Sequence, residues 1–443
     1  MLAVKGNIID YRHRLLRRLA VARTHTDQLF GLVRPNALYE RPVPERHRII
    51  FYLGHLEAFD WNLLGNRLPG LKACAPEFDR LFAFGIDPVG GGLPTDRPAD
   101  WPSEAAIRHY NRRVRAALDA ALPALEPVAP SGEEATELLL NVAIEHRLMH
   151  AETLAYLLHR LPPEHKRRPV YTPRVTAPEV TPDLVEIPAG SITLGRARTD
   201  TQGFGWDNEY DGHTVEVPAF AIDRYPVSNG QYLEFVAAGG YEDRACWSES
   251  DWRWRSEHDI KHPAFWTRRN NRWYYRGMFD LVPLPLQWPV YVSHAEASAY
   301  ARWAGMALPT EAQWQRAAYG TPENRERAYP WGDAPPLPGP VNFDFRGWDP
   351  VPVGAFPKNR SAFAVAGLLG NGWEWTSSRF APFEGFRPFA CYPGYSADFF
   401  DGRHYVLKGG SARTAACLLR RSFRNWFQPH YPYVYAGLRC VDE

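Results

Sequence analysis

EEATELLLNVAIEHRLMHAETLAYLLHRL, residues 133–161, is a long stretch in which apolar residues recur at three and four positions. That spacing predicts an amphipathic helix. His146 and His150 lie four residues apart within it, so both imidazoles leave the same face, one turn apart. Two imidazoles in that relation can grip one metal ion but need a third ligand from elsewhere. His55, in YLGHLEAFDWN (52–62) on a second periodic stretch, is the candidate. Facing helices of a bundle build metal sites in this way. Three neutral imidazoles leave coordination positions open, which suits catalysis more than structure. Zn, Cu, Fe and Ni all accept imidazole, so the residues alone do not name the metal. The competing reading is a histidine pair on a solvated helix face with no metal at all. Glu152 is either an orienting partner for a histidine's second ring nitrogen or an ordinary solvated carboxylate.

Working outward, the same periodicity marks Ile8–Val33, Ile49–Leu64 and Ser103–Leu122. Four such stretches predict a four-helix bundle over residues 1–161. Phe84–Pro102, rich in Gly, Pro and Asp, reads as a long loop of the kind that often carries function. Residues 162–182 hold six prolines and little periodicity, which predicts an extended linker. From 183 to 443 short β-like runs dominate: Leu184–Ile187, His213–Val217, Phe220–Asp223 and Tyr405–Lys408. Helical patterns interrupt them near Ser228–Ala238, His294–Trp303 and Glu311–Ala318. This is a mixed α/β domain with much irregular structure, pinned by a high content of tryptophan (16) and proline (40).

A chain of 443 residues favours two or three domains, and 45% hydrophobic residues supply their cores. A formal net charge of +1 gives no reason to expect nucleic acid or an anionic membrane as partner. The basic residues from Arg12 to Arg23 are spaced like a solvated helix face. Five scattered cysteines, with no CxxC pair, predict a reducing, cytoplasmic setting and no disulfide framework. The first residues lack the apolar core of a signal peptide. No window approaches the ~18 apolar residues of a membrane span.

These residues resemble a known family. Gly54-His55 and the His146, His150, Glu152 pattern are similar to the DinB-type bundle of the ergothioneine-biosynthesis sulfoxide synthases. The second half resembles the formylglycine-generating-enzyme (sulfatase-modifying factor) domain, a C-type-lectin-like fold. The marks are IPAGSITLG (187–195), DNE (207–209), YPVSNGQYLEF (225–235), RWAGMALPTEAQWQRAAYG (302–320), YPWGD (329–333), GLLGNGWEWTSS (367–378), LKGGS (407–411), FRNW (423–426) and AGLR (436–439). The resemblance implies Fe(II) on the three histidines, O2 as oxidant and hercynine (Nα-trimethylhistidine) as one substrate. It also implies an asparagine contact to hercynine at Asn425, with Trp426 beside it. A glutamine that relatives carry just before the second metal histidine is Met149 here. A proton-donating tyrosine comes from the segment 379–400, where Tyr392 and Tyr395 are the phenols that fit.

Formylglycine-generating activity itself is disfavoured. Its two cysteines follow GGS, and those positions are Thr414 and Leu419 here, with Cys417 displaced and alone. Relatives that use cysteine or γ-glutamylcysteine follow FRNW with an Asp, and with an Arg four positions later. Here those residues are Phe427 and Tyr431. Losing the pair removes an ammonium partner and a carboxylate fork, each worth on the order of 1.5–3 kcal/mol when buried. Arg97 is the remaining candidate anion contact in the 84–98 loop. Aromatic faces suit a sugar ring instead. The pattern resembles the selenoneine synthase branch of the superfamily, which implies a selenosugar co-substrate. A sulfoxide synthase using a thiol is the alternative, and a non-catalytic lectin-like binding module is the rival from another class.

Overall fold

The computed structural model describes residues 2–68, 70–83, 93–124, 135–169, 175–200, 203–336 and 341–442, with side chains from Asp10 onward. Residues 84–92 of the expected loop, 133–134 of the expected helix and 170–174 of the expected linker lie outside the described residues. The chain divides into two compact units, Met1–Val170 and Tyr171–Glu443.

The first unit is helical: α1 (Leu2–Leu32), α2 (Ile49–Leu63), α3 (Pro76–Leu81), α4 (Glu104–Ala121) and α5 (Thr136–Arg160). The four periodic stretches correspond to α1, α2, α4 and α5. The short α3 carries its own signals, a proline at its start and acidic Glu77 and Asp79 in its first turn. Helix α4 is amphipathic. Ser103 caps it by accepting from the Ala106 amide at 3.3 Å, and Ile107, Tyr110, Asn111, Val114 and Leu118 form its buried stripe. Helix α2 is different: of its fifteen residues only Phe59 and Asn62 are not buried. Helix α5 is buried almost as completely.

Helices enclosed on all sides must satisfy their polar residues inside the protein. Arg147 of α5 does so for α2. Its guanidinium donates to the Leu56 carbonyl (2.9 Å), to Glu57 (2.9 Å) and to Asp60 (2.7 Å). All three side chains are about 1% exposed. Arg115 of α4 donates to Glu57 as well and continues to Asp27 of α1. Burial alone would raise the Glu57 pKa, but Arg147 and Arg115 outweigh it and hold the carboxyl at about 2. The network thus ties α2 to α5 and sets how the two helices face each other.

The second unit contains β1 (Leu184–Ile187), β2 (Gly190–Leu194), β3 (His213–Val217), β4 (Phe220–Asp223), α6 (Asn229–Ala237), α7 (Glu249–Glu257), β5 (Trp266–Arg269), β6 (Arg272–Arg276), β7 (Leu281–Pro283), α8 (His294–Trp303), α9 (Glu311–Tyr319), β8 (Gly372–Arg379), α10 (Gly394–Ala397), β9 (Tyr405–Gly410), β10 (Asn425–Phe427), β11 (Ala436–Gly437) and β12 (Val441–Asp442). The sheet that matters most runs β10-β9-β8-β11. Strands β8, β9 and β10 pair antiparallel, with an irregularity between Trp375 and Arg379, and β11 lies parallel to β8. A second sheet, β1-β4-β12, shares a core with Trp314, Ala317 and Ala318 of α9. Capping boxes start α6 (Ser228 with Gln231), α8 (Ser293 with Glu296) and α9 (Thr310 with Gln313). This is the lectin-like sheet-and-loop architecture that the second half's motifs lead one to expect. Among the described residues no helix is long and apolar enough to cross a membrane.

Three ion pairs, two of them buried on both sides, join the irregular segments. Arg439 grips Glu374 of β8 (2.9 Å), and Trp314 donates to the same carboxylate (2.6 Å). Arg424 grips Glu311 at the start of α9 (3.0 Å). Arg420 and Ser422 hold Glu209. The first two pairs each link two of the sequence motifs, and the third ties DNE to the segment just before FRNW, so these charged motif residues are clamps within the fold.

Candidate metal centre

The clamp between α2 and α5 brings His55 to the histidine pair of α5. All three imidazoles are buried, and their ligand nitrogens lie within 4.8 Å of one another. The Nε2 atom of His150 is 3.2 Å from that of His55 and 3.1 Å from that of His146. Two ligands about 2.1 Å from a shared ion would span such a distance at roughly a right angle. Burial lowers all three pKa values, that of His55 to about 4, because the charged imidazolium loses its hydration. The rings are therefore neutral, the form that binds a metal. The donor set and its convergence fit a metal ion.

Each ring is also oriented. His55 Nδ1 donates to the Phe82 carbonyl at 2.7 Å, which leaves its Nε2 lone pair facing the cluster. Phe51 stacks on His55 (centroids 4.9 Å apart), and Phe59 lies flat on His146 (3.5 Å, 11° between planes). Phe51, His55 and Phe59 are four apart on one face of α2. That spacing is legible in the sequence, but ring packing on the histidines follows only from how α2 faces α5. The Phe82 carbonyl had no signal, since a backbone acceptor carries no residue identity. Glu152 and Met149 lie half-buried on α5. Arg97 is 81% exposed and pairs with Asp100 at 3.5 Å, while the neighbouring Asp96 accepts from Arg41, Arg48 and Trp101.

In the second unit Asn425, Trp426 and Phe427 form the edge strand β10. The Asn425 side-chain oxygen accepts from the Trp426 amide at 2.9 Å. Trp426 stacks on Phe380 (4.2 Å, 9°) and touches Tyr395 and Phe399. Phe427 and Tyr431 lie parallel (5.4 Å, 1°), and Tyr433 meets Tyr431 edge-on. Tyr395 is buried face to face with Trp206 at 3.8 Å, whereas Tyr392 is half-buried.

Residues 172–443 match the sulfatase-modifying factor enzyme 1-like domain, and residues 18–154 match the DinB superfamily. A hercynine oxygenase of Mycolicibacterium thermoresistibile is 34% identical over 454 residues, covering 98% of this chain and 96% of its own length. A hercynine oxygenase of Mycolicibacterium smegmatis is 33% identical over 97% of this chain and 99% of its own. The chain belongs to the hercynine oxygenase family. As a member it is an oxidoreductase of the ergothioneine-biosynthesis sulfoxide synthase type. The ergothioneine biosynthesis protein 1 of Neurospora crassa is 28% identical over 92% of this chain, which spans 55% of that protein.

The packing around GGS separates this hercynine oxygenase relative from copper-thiolate chemistry. Leu419 is fully buried among Val341 and Phe343. Its Cδ2 occupies the space over Gly410, 2.5 Å from where a Cβ would stand. Thr414 is buried too, and its hydroxyl accepts from the Ser411 amide at 2.8 Å. The two positions are filled by packing and turn chemistry, with no thiol at either.

Proposed function

We propose that this chain joins selenium from a selenosugar to C2 of the hercynine imidazole, using Fe(II) and O2, to give selenoneine. Fe(II) on His55, His146 and His150 would supply oxygen activation and open positions for substrate. The buried, neutral, preoriented imidazoles support that metal reading. In the reaction a C2–H and a Se–H bond give way to a C2–Se bond, with O2 accepting the two electrons and both protons. The bond between selenium and the sugar carbon is then broken, water supplying the hydroxyl to the sugar and the proton to selenoneine. Asn425, its oxygen tied to the backbone, has its amide nitrogen to offer a carboxylate. Trp426 offers a ring to the trimethylammonium of hercynine. Met149 and Arg97 are further candidate contacts. Of the two phenols, half-buried Tyr392 is better placed to move a proton than Tyr395, which is packed under Trp206. The cysteine usage suits a reducing, cytoplasmic setting.

The observation that carries the donor assignment is the parallel Phe427–Tyr431 pair. It offers a flat apolar wall where a zwitterionic thiol would need an acid and a base. A competition assay tests it: hercynine and O2 offered together with selenosugar, thiosugar, cysteine and γ-glutamylcysteine. Preferred turnover of the selenosugar is expected, and preferred turnover of cysteine would overturn the reading. The second reading is a sulfoxide synthase joining hercynine to cysteine or γ-glutamylcysteine. It is supported by the relative named as an ergothioneine biosynthesis protein, ergothioneine being a sulfur compound. A binding module without chemistry would show no oxygen uptake with any donor.

A further inference from the structure

We infer that Gly54 and Phe82 form a lock that fixes the tautomer and aim of His55, so that a glycine with no ligand atom controls the metal site. The inference rests on the metal reading of the three histidines. Its first element is the Phe82 carbonyl. A carbonyl only accepts, so the 2.7 Å contact requires the proton on His55 Nδ1 and leaves Nε2 as the free donor.

The second element is what holds that carbonyl in place. Phe82 follows α3 and is fully buried. Its ring sits against the backbone of Gly54, one residue before His55. A Cβ added at Gly54 would stand 2.5 Å from two carbons of that ring and 2.6 Å from a third. The ring has nowhere to retreat. Trp101 and Tyr110 stack on it (6.0 and 6.4 Å), Phe78 meets it edge-on (5.7 Å) and Phe51 lies at 6.3 Å. Other contacts pin the residues just before it. Asn62 of α2 donates to the Asp79 carbonyl (3.1 Å), and Tyr110 donates to the Asp79 carboxylate (2.7 Å). A methyl at position 54 must therefore drive Phe82 outward as a unit, and its carbonyl leaves His55 Nδ1. With the acceptor gone, the proton is free to move to Nε2, the atom that faces His150.

The test uses the full chain and the variants G54A, F82A and G54A/F82A. Two readouts apply. One is Fe(II) affinity, measured anaerobically against a competing chelator. The other is the nitrogen spectrum of the metal-free histidine rings, which reports the tautomer without metal or turnover. G54A is expected to bind Fe(II) about 10–100-fold more weakly, the usual effect of losing such a partner, and to lose the Nδ1–H form of His55. F82A keeps the backbone acceptor, so it should keep that form. The double variant has room for the methyl and should return to the F82A affinity. Should G54A fail to fold, the comparison of F82A with the double variant carries the test, and the two must agree. Wild-type Fe(II) affinity and an intact Nδ1–H signal in G54A would overturn the lock. A double variant far weaker than F82A would also overturn it. If the wild-type chain bound no Fe(II), the metal reading would fall, and the metal-free spectra would still decide the lock.

Discussion

The two units hold their polar residues by different means. In the first, the three histidines lie on two regular helices, and the arginine network behind them joins those same helices. In the second, the carboxylates and arginines lie in short strands, loops and the first turn of a helix, and Arg420 meets Glu209 across 211 positions of sequence. A helix hands its residues a fixed mutual geometry, so one clamp between two helices suffices to build a site. An irregular domain needs a separate clamp for each segment. The same interaction, a buried arginine–carboxylate pair, therefore serves site geometry in one unit and fold integrity in the other.

The largest expected effect breaks the first unit's site directly. His150→Ala should abolish Fe(II) binding and product formation, read by anaerobic titration and oxygen uptake. Retained activity would sink the metal assignment. Next, Arg147→Met and Arg439→Met each strand buried carboxylates and should each cost about 3–5 kcal/mol in denaturant unfolding. Only Arg147→Met should also weaken Fe(II) binding, since only that pair lies between α2 and α5. Equal effects on metal affinity would erase the contrast between the two units.

A pH series sharpens the second unit's side. Burial lowers the His294 pKa to about 3, because the ring is enclosed against Tyr405; nearby Asp251 and the hydrogen bond to the Thr376 carbonyl act in the opposite direction and do not offset it. The unfolded chain binds that proton near pH 6.5 and the folded one does not. The stability contribution is thus complete above about pH 6.5 and is lost as pH falls toward 3. Over that range the loss is on the order of a few kcal/mol. His294→Phe should flatten this acid limb of the unfolding midpoint, and an unchanged limb would show that other groups set it. The smallest effect concerns the donor. Phe427→Asp with Tyr431→Arg should shift the kcat/KM ratio toward cysteine over selenosugar by about tenfold to a hundredfold, as one or two charged contacts return. No shift would remove these two residues from donor choice.

Much of this was legible in the chain itself. Apolar periodicity gives the helices of the bundle to within three residues at every end but one, the start of α1, which lies six residues before Ile8. The spacing of His146 and His150 put two imidazoles on one face, because 3.6 residues per turn leaves no other outcome. The helical patterns near Ser228–Ala238, His294–Trp303 and Glu311–Ala318 correspond to α6, α8 and α9. Helix α7 was not expected. It is short and highly charged, with Asp251 its one buried residue, so it lacks an apolar stripe to read.

What the sequence determined by itself was the kind of ligand and its local spacing. Only the tertiary structure decided that His55 joins the pair, that Phe82 offers it a carbonyl, and that Tyr395 is packed under Trp206. It also decided that Glu209, Glu311 and Glu374 are clamps. Local rules fix geometry over one or two turns of chain. Contacts across many tens of residues depend on which buried charges find partners and which rings find room, and neither is written in any single segment.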